Sequence, residues 1–523
     1  MSAASEKQKV TRAAGVIGAA TLASRLGGYL RDMTIAYFFG ASAATDAFVV
    51  AFRIPNLLRR LFAEGSLTVA FIPVFTEVLR KDGQDEAVLV ARSTYTVTAI
   101  LLTVICGLGM VFTPELLRLI APGFKPGQET FELAVHLARW CLPFIFFISL
   151  VALAGGVLNS LGHFFVPAVT PLVLNISIIT CAVALSPRVD PPVLSLALGV
   201  LIGGVLQLLL QLPLLKHFGV ALRPALALAH PALRRIGRLM VPAIFGAAVY
   251  QLAVVINTIL ASWLPSGSVS YLYYADRLIQ FPLGIFAIAV GTAVLPSLSR
   301  QAADGDYPAL IETMNYGLRV TLFICLPAMV GIMVLAEPLV LLLFARGEFD
   351  LATARQTAWA VFGYGFGLLG FSGVRAVVPA FYALKDTKTP VMVAAVSLVV
   401  MVGLSLVLIG PLAHIGLALA TSVAGLTNLA GLLWLLRRKV GPLGMRSVAL
   451  AALRMLAAVT AMGLAVAALA YLPDWGSVGS LGRRYARPLV AVVVGAGVYL
   501  GLARLLRISE LRDLGGMVGR RRA

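Results

Sequence analysis

The sequence predicts an all-α polytopic membrane protein with about fourteen transmembrane helices, arranged as two pseudo-symmetric six-helix lobes plus two C-terminal helices. Of its 523 residues, 60% are hydrophobic and only 12% are charged, whereas about a quarter of the residues in soluble domains are charged. Apolar runs of about 20 residues, the length that crosses a bilayer, recur along the whole chain. They lack the short period-two segments of barrel strands, so the spans are predicted to be helices.

Fourteen apolar segments can be located by length and hydrophobicity. In chain order they are 11–38, 44–75, 91–112, 133–158, 165–186, 193–215, 236–263, 270–297, 316–344, 355–383, 390–410, 412–436, 448–471 and 486–506. An even number of spans places both termini on one side of the membrane. Lys7, Lys9 and Arg12 precede the first span, and Arg and Lys are more frequent in alternate loops, so that side is predicted to be cytoplasmic. The first segment shows no small-residue cleavage site after it and is predicted to be retained.

A weak internal repeat supports the two lobes. The second segment contains A-F-R-I-P (51–55) and A-F-I-P (70–73), and the eighth contains A-D-R-L-I (275–279) and A-V-L-P (293–296). The segments lie six spans apart, so both copies enter the membrane in the same direction, as in transporters with parallel repeats. Coincidence between alanine-rich helices is the alternative. The predicted divisions are an N-lobe at 1–220, a C-lobe at 221–440, and the last two helices with a basic tail at 441–523.

The second segment carries charged residues where a bilayer disfavours them. Each charge near the bilayer centre costs about 2.5–3.5 kcal/mol on insertion scales. Asp46, Arg53 and Arg60 are spaced seven apart and therefore share one helical face. Asn56 and Glu64 extend that stripe, and Glu64 can pair with Arg60 at i, i+4. Lipid would reject such a stripe, so we expect it to line a water-filled cavity enclosed by protein.

Further arginines make the predicted cavity cationic. Arg25 and Asp32 share a face of the first segment with Arg31 nearby, Arg59 lies in the second segment, and Arg277 lies in the eighth. Guanidinium groups bind phosphate and carboxylate in bidentate fashion, so the expected cargo is an anion such as a pyrophosphate.

A structural role is the alternative for some of these charges. Arg31 with Asp32, and Arg60 with Glu64, could be ion pairs that only stabilise the fold. Arg25, Arg59 and Arg277 have no acid at helical spacing, which favours a functional role for these three.

Other classes of function lack their signatures. The net charge of +19 comes without a long basic run except Arg520–Arg522, so nucleic acid is not an expected partner. No Gly is followed by Lys, which excludes a P-loop, and no His is followed by Glu, which excludes an H-E-x-x-H zinc site. The sequence contains no Asp-Asp pair and no His cluster of the kind that would indicate an enzyme. The four cysteines are predicted to be small core residues.

Four stretches of sequence resemble one known family. S-R-L-G-G-Y-L-R-D (24–32) and A-T-D-A-F-V-V-A-F-R-I-P-N-L-L-R-R-L-F-A-E-G (44–65) resemble the MurJ/MviN family of lipid II flippases. Y-A-D-R-L-I-Q-F-P (274–282) and A-F-Y-A-L-K-D-T-K-T-P (380–390) are similar to it as well. This family belongs to the multidrug/oligosaccharidyl-lipid/polysaccharide (MOP) exporter superfamily.

The resemblance implies a flippase in the bacterial cytoplasmic membrane. Its cargo would be lipid II, the undecaprenyl-pyrophosphate-linked peptidoglycan precursor, carried from the inner to the outer leaflet by alternating access. Two lobes would form a central cavity, and the last two helices would form a groove for the polyprenyl tail. The implied partners are lipid II and membrane lipids, and we expect the chain to act as a monomer.

The resemblance also implies a set of essential cavity residues. They are Ser24, Arg25, Arg31, Asp32, Asp46, Asn56, Arg59, Glu64 and Arg277. Arg53, where some members carry Lys, and Arg60 complete the predicted substrate-binding set.

The energy source and the exact cargo stay open from sequence. Some family members bind sodium through carboxylates, but the seventh segment here offers Asn257 and no acid, and Asp386 lies at a predicted cytoplasmic helix end. No resident cofactor is therefore expected, and membrane potential is the alternative to sodium. The alternative cargo is another lipid-linked oligosaccharide, whereas drug antiport would require an acidic cavity.

Overall fold

A computed structural model describes residues 3–61, 67–220, 223–471 and 480–513. Within these ranges the chain forms helices joined by turns and short loops, and no strand is present. Eight described helices are long and apolar enough to cross a membrane, and a bent pair adds a ninth candidate. The predicted all-α membrane class is confirmed, while the count of fourteen spans stays a prediction.

Every predicted segment of the first half coincides with one or more helices. Their bounds are α1 Ala3–Phe39, α2 Ala43–Arg59, α3 Thr68–Lys81, α4 Gln84–Val111, α5 Thr113–Ile120, α6 Glu129–Cys141, α7 Phe144–Ser160, α8 Phe165–Leu185 and α9 Leu194–His217. The second predicted segment is divided between α2 and α3. The fourth is divided between α6 and α7, with Pro143 at the start of α7.

The second half follows the same pattern. Its helices are α10 Pro231–Ser262, α11 Ser268–Pro282, α12 Ile288–Ala303, α13 Tyr307–Val334, α14 Ala336–Leu343, α15 Leu351–Gly365, α16 Gly367–Ala383, α17 Lys388–Val440, α18 Arg446–Tyr471 and α19 Ser480–Leu505. A π-helical turn, Leu283–Ala287, joins α11 to α12. α17 contains two predicted segments and bends at Ala413, whose φ is 48°.

The chain divides into two compact units, Met1–Ser270 and Tyr271–Ala523. In the first unit, buried side chains of α3, α4 and α7 contribute to an apolar cluster, with Phe71, Phe75 and Leu153 at most 1% exposed. The aromatic and branched side chains hold these helices together by excluding lipid and water from the contact. The lobe boundaries predicted from sequence stay predictions.

The second unit has two main apolar clusters. One lies among α12, α13, α16 and α17, where Leu298, Met314 and Phe381 are fully buried. The other joins α13 to α18 and α19 through Met455 and Tyr499. The last two helices therefore pack on this unit, and the tail groove that the sequence predicted for them is not tested by this packing.

Candidate functional site

The first turn of α2 holds a buried carboxylate. Asp46 is 2% exposed. Its side-chain oxygens accept hydrogen bonds from the backbone N–H of Gly267 at 2.6 Å and of Ser270 at 2.8 Å, and from the Ser270 hydroxyl at 2.5 Å. These donors belong to the start of α11, whose first N–H groups have no partner within the helix. Asp46 therefore acts as a capping group for another helix.

The middle of α2 is tied to α10. Arg53 donates to the hydroxyl of Thr258, which is fully buried. That hydroxyl donates in turn to the backbone oxygen of Val254 at 2.7 Å, so it can receive the guanidinium hydrogen. The contact fixes the Arg53 side chain within the protein and away from lipid.

The last turn of α2 presents a different arrangement. The Nε and Nη2 atoms of Arg59 donate to the Asn56 side-chain oxygen at 3.0 and 2.8 Å. This contact orients the guanidinium of Arg59. Arg60 follows as an exposed residue, and Glu64, its predicted partner, lies outside the described residues.

Arg59 also lines a cavity of about 220 Å³ inside the first unit. The other walls come from α7, α8 and α9. Its polar lining comprises Arg59, Asn159, Thr170, Gln207 and Gln211, and its apolar lining includes Phe144, Ile148 and Leu174. We call it the Arg59 cavity. It brings one predicted site residue together with polar side chains that the sequence analysis did not single out.

The predicted charges of α1 form a compact network with α8. Arg31 contacts the Asp32 carboxylate at 2.7 Å, with 11% and 2% of the two side chains exposed. Arg31 Nη1 also donates to the side-chain oxygen of Asn175 at 3.1 Å, and the Asn175 amide donates to the backbone oxygen of Ser24 at 3.1 Å. The structure therefore joins three predicted residues through one asparagine, and Arg31–Asp32 is an ion pair.

Close packing brings α1 against α8 at this network. A Cβ atom placed on Gly27 would lie 2.6 Å from Leu172 Cδ1, so only glycine permits this approach without a shift. Arg25 directly follows Ser24 in α1 and is half-buried.

Arg277, the predicted site residue of the second unit, lies on α11. Its guanidinium carbon is 4.7 Å from the centre of the Tyr273 ring, within the range of a cation–π contact. On the same helix, Gln280 donates to the Asp276 carboxylate at 2.5 Å. The aromatic face therefore accommodates the cation.

Asparagines, threonines and glutamines are the site residues that the sequence analysis missed. Asn175, Thr258, Thr170, Gln207 and Gln211 each lie within a long apolar helix. Lone polar residues in apolar segments were the available signal. Hydrogen bonding between helices is a common role for such residues, so their presence alone does not identify a site.

Candidate cation ligands are sparse in the described ranges. No group of three or more His, Cys, Asp or Glu side chains that could hold a metal ion occurs there. Asp386, in the turn before α17, accepts hydrogen bonds from the Thr389 backbone N–H at 3.0 Å, from the Thr389 hydroxyl at 2.6 Å and from Lys439. The ammonium group of Lys439 and the Thr389 donors hold the pKa of Asp386 well below its ordinary value.

Comparison with known proteins agrees with this geometry. The family described as lipid II flippase MurJ matches residues 35–486. A probable lipid II flippase MurJ of Vibrio cholerae is 40% identical over 423 residues, covering 79% of this chain and 80% of that protein. A probable lipid II flippase MurJ of Haemophilus influenzae is 36% identical over 506 residues, covering 93% and 98%.

Solved structures give the same result at the level of fold. A lipid II flippase MurJ in an inward closed conformation superposes with a TM-score of 0.77 at 27% identity, covering 95% of this chain and 99% of that one. An inward-facing multidrug resistance MATE transporter of the MOP superfamily superposes with a TM-score of 0.67 at 17% identity, covering 81% and 96%. The second likeness concerns the fold alone. By the family match and these relatives, the chain is a multi-pass membrane protein that belongs to the MurJ family of lipid II flippases.

Proposed function

We propose that the chain flips lipid II from the inner to the outer leaflet of the bacterial cytoplasmic membrane by alternating access. The observation that carries the proposal is Arg59, a guanidinium that Asn56 orients and that lines a cavity within the membrane helices. A guanidinium at the wall of a cavity can bind phosphate oxygens in bidentate fashion. Membership of the MurJ family supports a pyrophosphate-linked lipid as that ligand.

In this proposal Arg25, Arg31, Arg59 and Arg277 bind the diphosphate during the transport cycle. Arg31 donates through Nε, Nη1 and Nη2 to Asp32 and Asn175. Asp32 therefore positions Arg31 as well as pairing with it, and the excess of arginine over acid gives the cargo its binding energy.

The membrane potential is the energy source that we propose. A diphosphate diester carries two negative charges, and the cell interior is negative, so outward movement of the head group is downhill. Each elementary charge gains roughly 2.3 kcal/mol per 100 mV, or roughly 4.6 kcal/mol for two charges. Sodium is the competing energy source, and its removal from the assay separates the two.

We also propose how the chain is arranged in the membrane. Both termini are cytoplasmic, the chain acts as a monomer without enzymatic activity or nucleic acid, and α18 and α19 guide the polyprenyl tail along the lipid. Their apolar packing on α13 supports a stable wall for that path.

A protection assay tests the function directly. The full-length chain is reconstituted into liposomes with fluorescent lipid II in the inner leaflet, a potassium gradient is set with valinomycin, and the outward-facing label is quenched. We expect quenching that depends on the protein and increases with an inside-negative potential, in sodium-free buffer. A second lipid-linked oligosaccharide of different sugar composition serves as the competing cargo. Transport of that lipid with no transport of lipid II would overturn the proposal.

A further inference from the structure

We propose that the Arg59 cavity is a subsite for an N-acetylated sugar ring attached directly to the diphosphate of the cargo. This inference rests on the proposed function, which it refines by naming the part of the head group that the first unit holds. Two glutamines on α9, Gln207 and Gln211, carry the argument.

The orientation of both side-chain amides is determined by Thr170 on α8. The backbone oxygen of Thr170 can only accept, so the group of Gln207 that lies 2.9 Å from it is the NH₂. The Thr170 hydroxyl donates its hydrogen to the Val166 oxygen at 2.7 Å. It can therefore only accept from Gln211, whose Nε2 lies at 3.1 Å. Neither amide can be rotated without losing this network.

Both glutamine oxygens are consequently acceptors without a donor. Gln207 and Gln211 are each 1% exposed, and within the described part of the chain neither Oε1 atom has a hydrogen-bond partner. Buried acceptors of this kind are rare because an unmade hydrogen bond is costly. Two such oxygens on residues of one cavity call for a ligand with N–H or O–H groups.

The rest of the lining narrows the class of ligand. Phe144, Ile148 and Leu174 give the cavity apolar walls, suited to the C–H face of a ring and to a methyl group, while Arg59 places a positive charge at its wall. At about 220 Å³, the cavity is smaller than the roughly 300–1,000 Å³ of pockets that hold a whole drug-sized ligand. It therefore fits one ring of a larger head group.

An N-acetylated sugar phosphate meets these requirements together. Its hydroxyl and acetamido N–H groups donate to the two glutamine oxygens, its acetyl methyl and ring carbons contact the apolar walls, and its phosphate lies beside Arg59. A buried water molecule could also donate to the glutamine oxygens, and that outcome is separated by the experiment.

The experiment measures binding of two lipids to the purified full-length chain by native mass spectrometry. One probe is a polyprenyl diphosphate without sugar, and the other is the same lipid carrying N-acetylmuramic acid. Gln207→Met and Gln211→Met remove the acceptors at similar volume. We expect each to weaken binding of the sugar-bearing lipid about tenfold, equivalent to about 1.4 kcal/mol, and to leave the sugar-free lipid within about twofold.

A second variant fills the cavity instead of changing its polarity. A Cβ at Gly155 would lie 3.5 Å from Pro167 Cβ and 4.0 Å from Gln211 Oε1, which is ordinary contact, so Gly155→Ala should fold. We expect it to weaken binding of the sugar-bearing lipid selectively as well.

Gln301→Met is the matched control. Gln301 lies on α12 of the second unit, donates to the Thr313 hydroxyl at 2.8 Å and likewise has an unpartnered Oε1, so it should leave both affinities unchanged. An equal loss of affinity for both lipids would overturn the subsite. Unchanged affinity in both glutamine variants would also overturn it and would show that water satisfies the glutamine oxygens. If the unsubstituted protein binds neither lipid, the proposed function itself fails.

Discussion

The two ends of α2 carry charged residues that belong to one predicted site in the sequence but have different surroundings in the structure. At the N-terminal end, Asp46 is 2% exposed and accepts three hydrogen bonds from Gly267 and Ser270. At the C-terminal end, Arg59 is oriented by Asn56 and lines a cavity. Both residues lie in one apolar helix of seventeen residues, and both have a place in the substrate-binding set predicted from sequence.

The difference shows that a charge within the membrane has two physical uses. A carboxylate whose oxygens are filled by backbone and hydroxyl donors stabilises a junction between helices, since it has little capacity left for a ligand. A guanidinium that an amide orients toward a cavity is placed to bind an anion. Asp46 is therefore expected to contribute mainly to stability, and Arg59 mainly to transport.

The largest effect is expected for Asp46→Ala. The substitution leaves two backbone N–H groups and one hydroxyl buried without an acceptor, at about 1–3 kcal/mol each. We expect the free energy of unfolding to fall by about 3 kcal/mol or more. All four cysteines of the chain are buried, so a thiol-reactive dye reports unfolding in a thermal melt in detergent.

Arg59→Ala is the control in the same melt, since it leaves the three hydrogen bonds of Asp46 in place. Its melting temperature should stay close to that of the unsubstituted protein. An Asp46→Ala protein that melts normally yet fails to transport would assign Asp46 to the cargo and contradict the division.

The second effect concerns the affinity for lipid II rather than stability. Arg59→Ala removes a charge-assisted contact to the diphosphate, which is typically worth about 1.5–3 kcal/mol. We therefore expect lipid II to bind roughly ten- to a hundredfold more weakly, measured by native mass spectrometry. Arg59→Lys keeps the charge but loses the bidentate geometry, so its affinity for lipid II should lie between that of the unsubstituted protein and that of Arg59→Ala. An unchanged affinity in Arg59→Ala would remove Arg59 from the diphosphate site.

Sequence could predict much of the fold because length and hydrophobicity alone define a membrane helix. It could not locate the breaks, such as the π-helical turn at Leu283–Ala287, because these depend on packing between helices and not on local composition. For the site, spacing identified the stripe on α2 but not its partners. Thr258 on α10 and Asn175 on α8 lie more than a hundred residues from the arginines they contact, and periodicity within one helix carries no information about such pairs.

The smallest expected effect is that of a second carboxylate, Asp386, which allows the number of hydrogen bonds to be distinguished from their burial. Asp386 accepts three donor groups, as Asp46 does, but it lies in the turn between α16 and α17 beside the exposed Lys439. Water can replace its partners, and exposed ion pairs contribute about 0.2–1 kcal/mol. We expect Asp386→Asn to lower the melting temperature only slightly at neutral pH, far less than Asp46→Ala.

The pH dependence of that small effect follows from the direction of the pKa shift. Lys439 and Thr389 lower the pKa of Asp386 in the folded state, so below about pH 4, the ordinary value for aspartate, the unfolded chain takes up the proton first. The stabilisation is therefore present in full above that pH and is lost as the pH falls further. The difference in melting temperature between Asp386→Asn and the unsubstituted protein should shrink on acidification below pH 4. A cost for Asp386→Asn as large as that for Asp46→Ala would show that the count of hydrogen bonds, and not burial, determines the energy of these carboxylates.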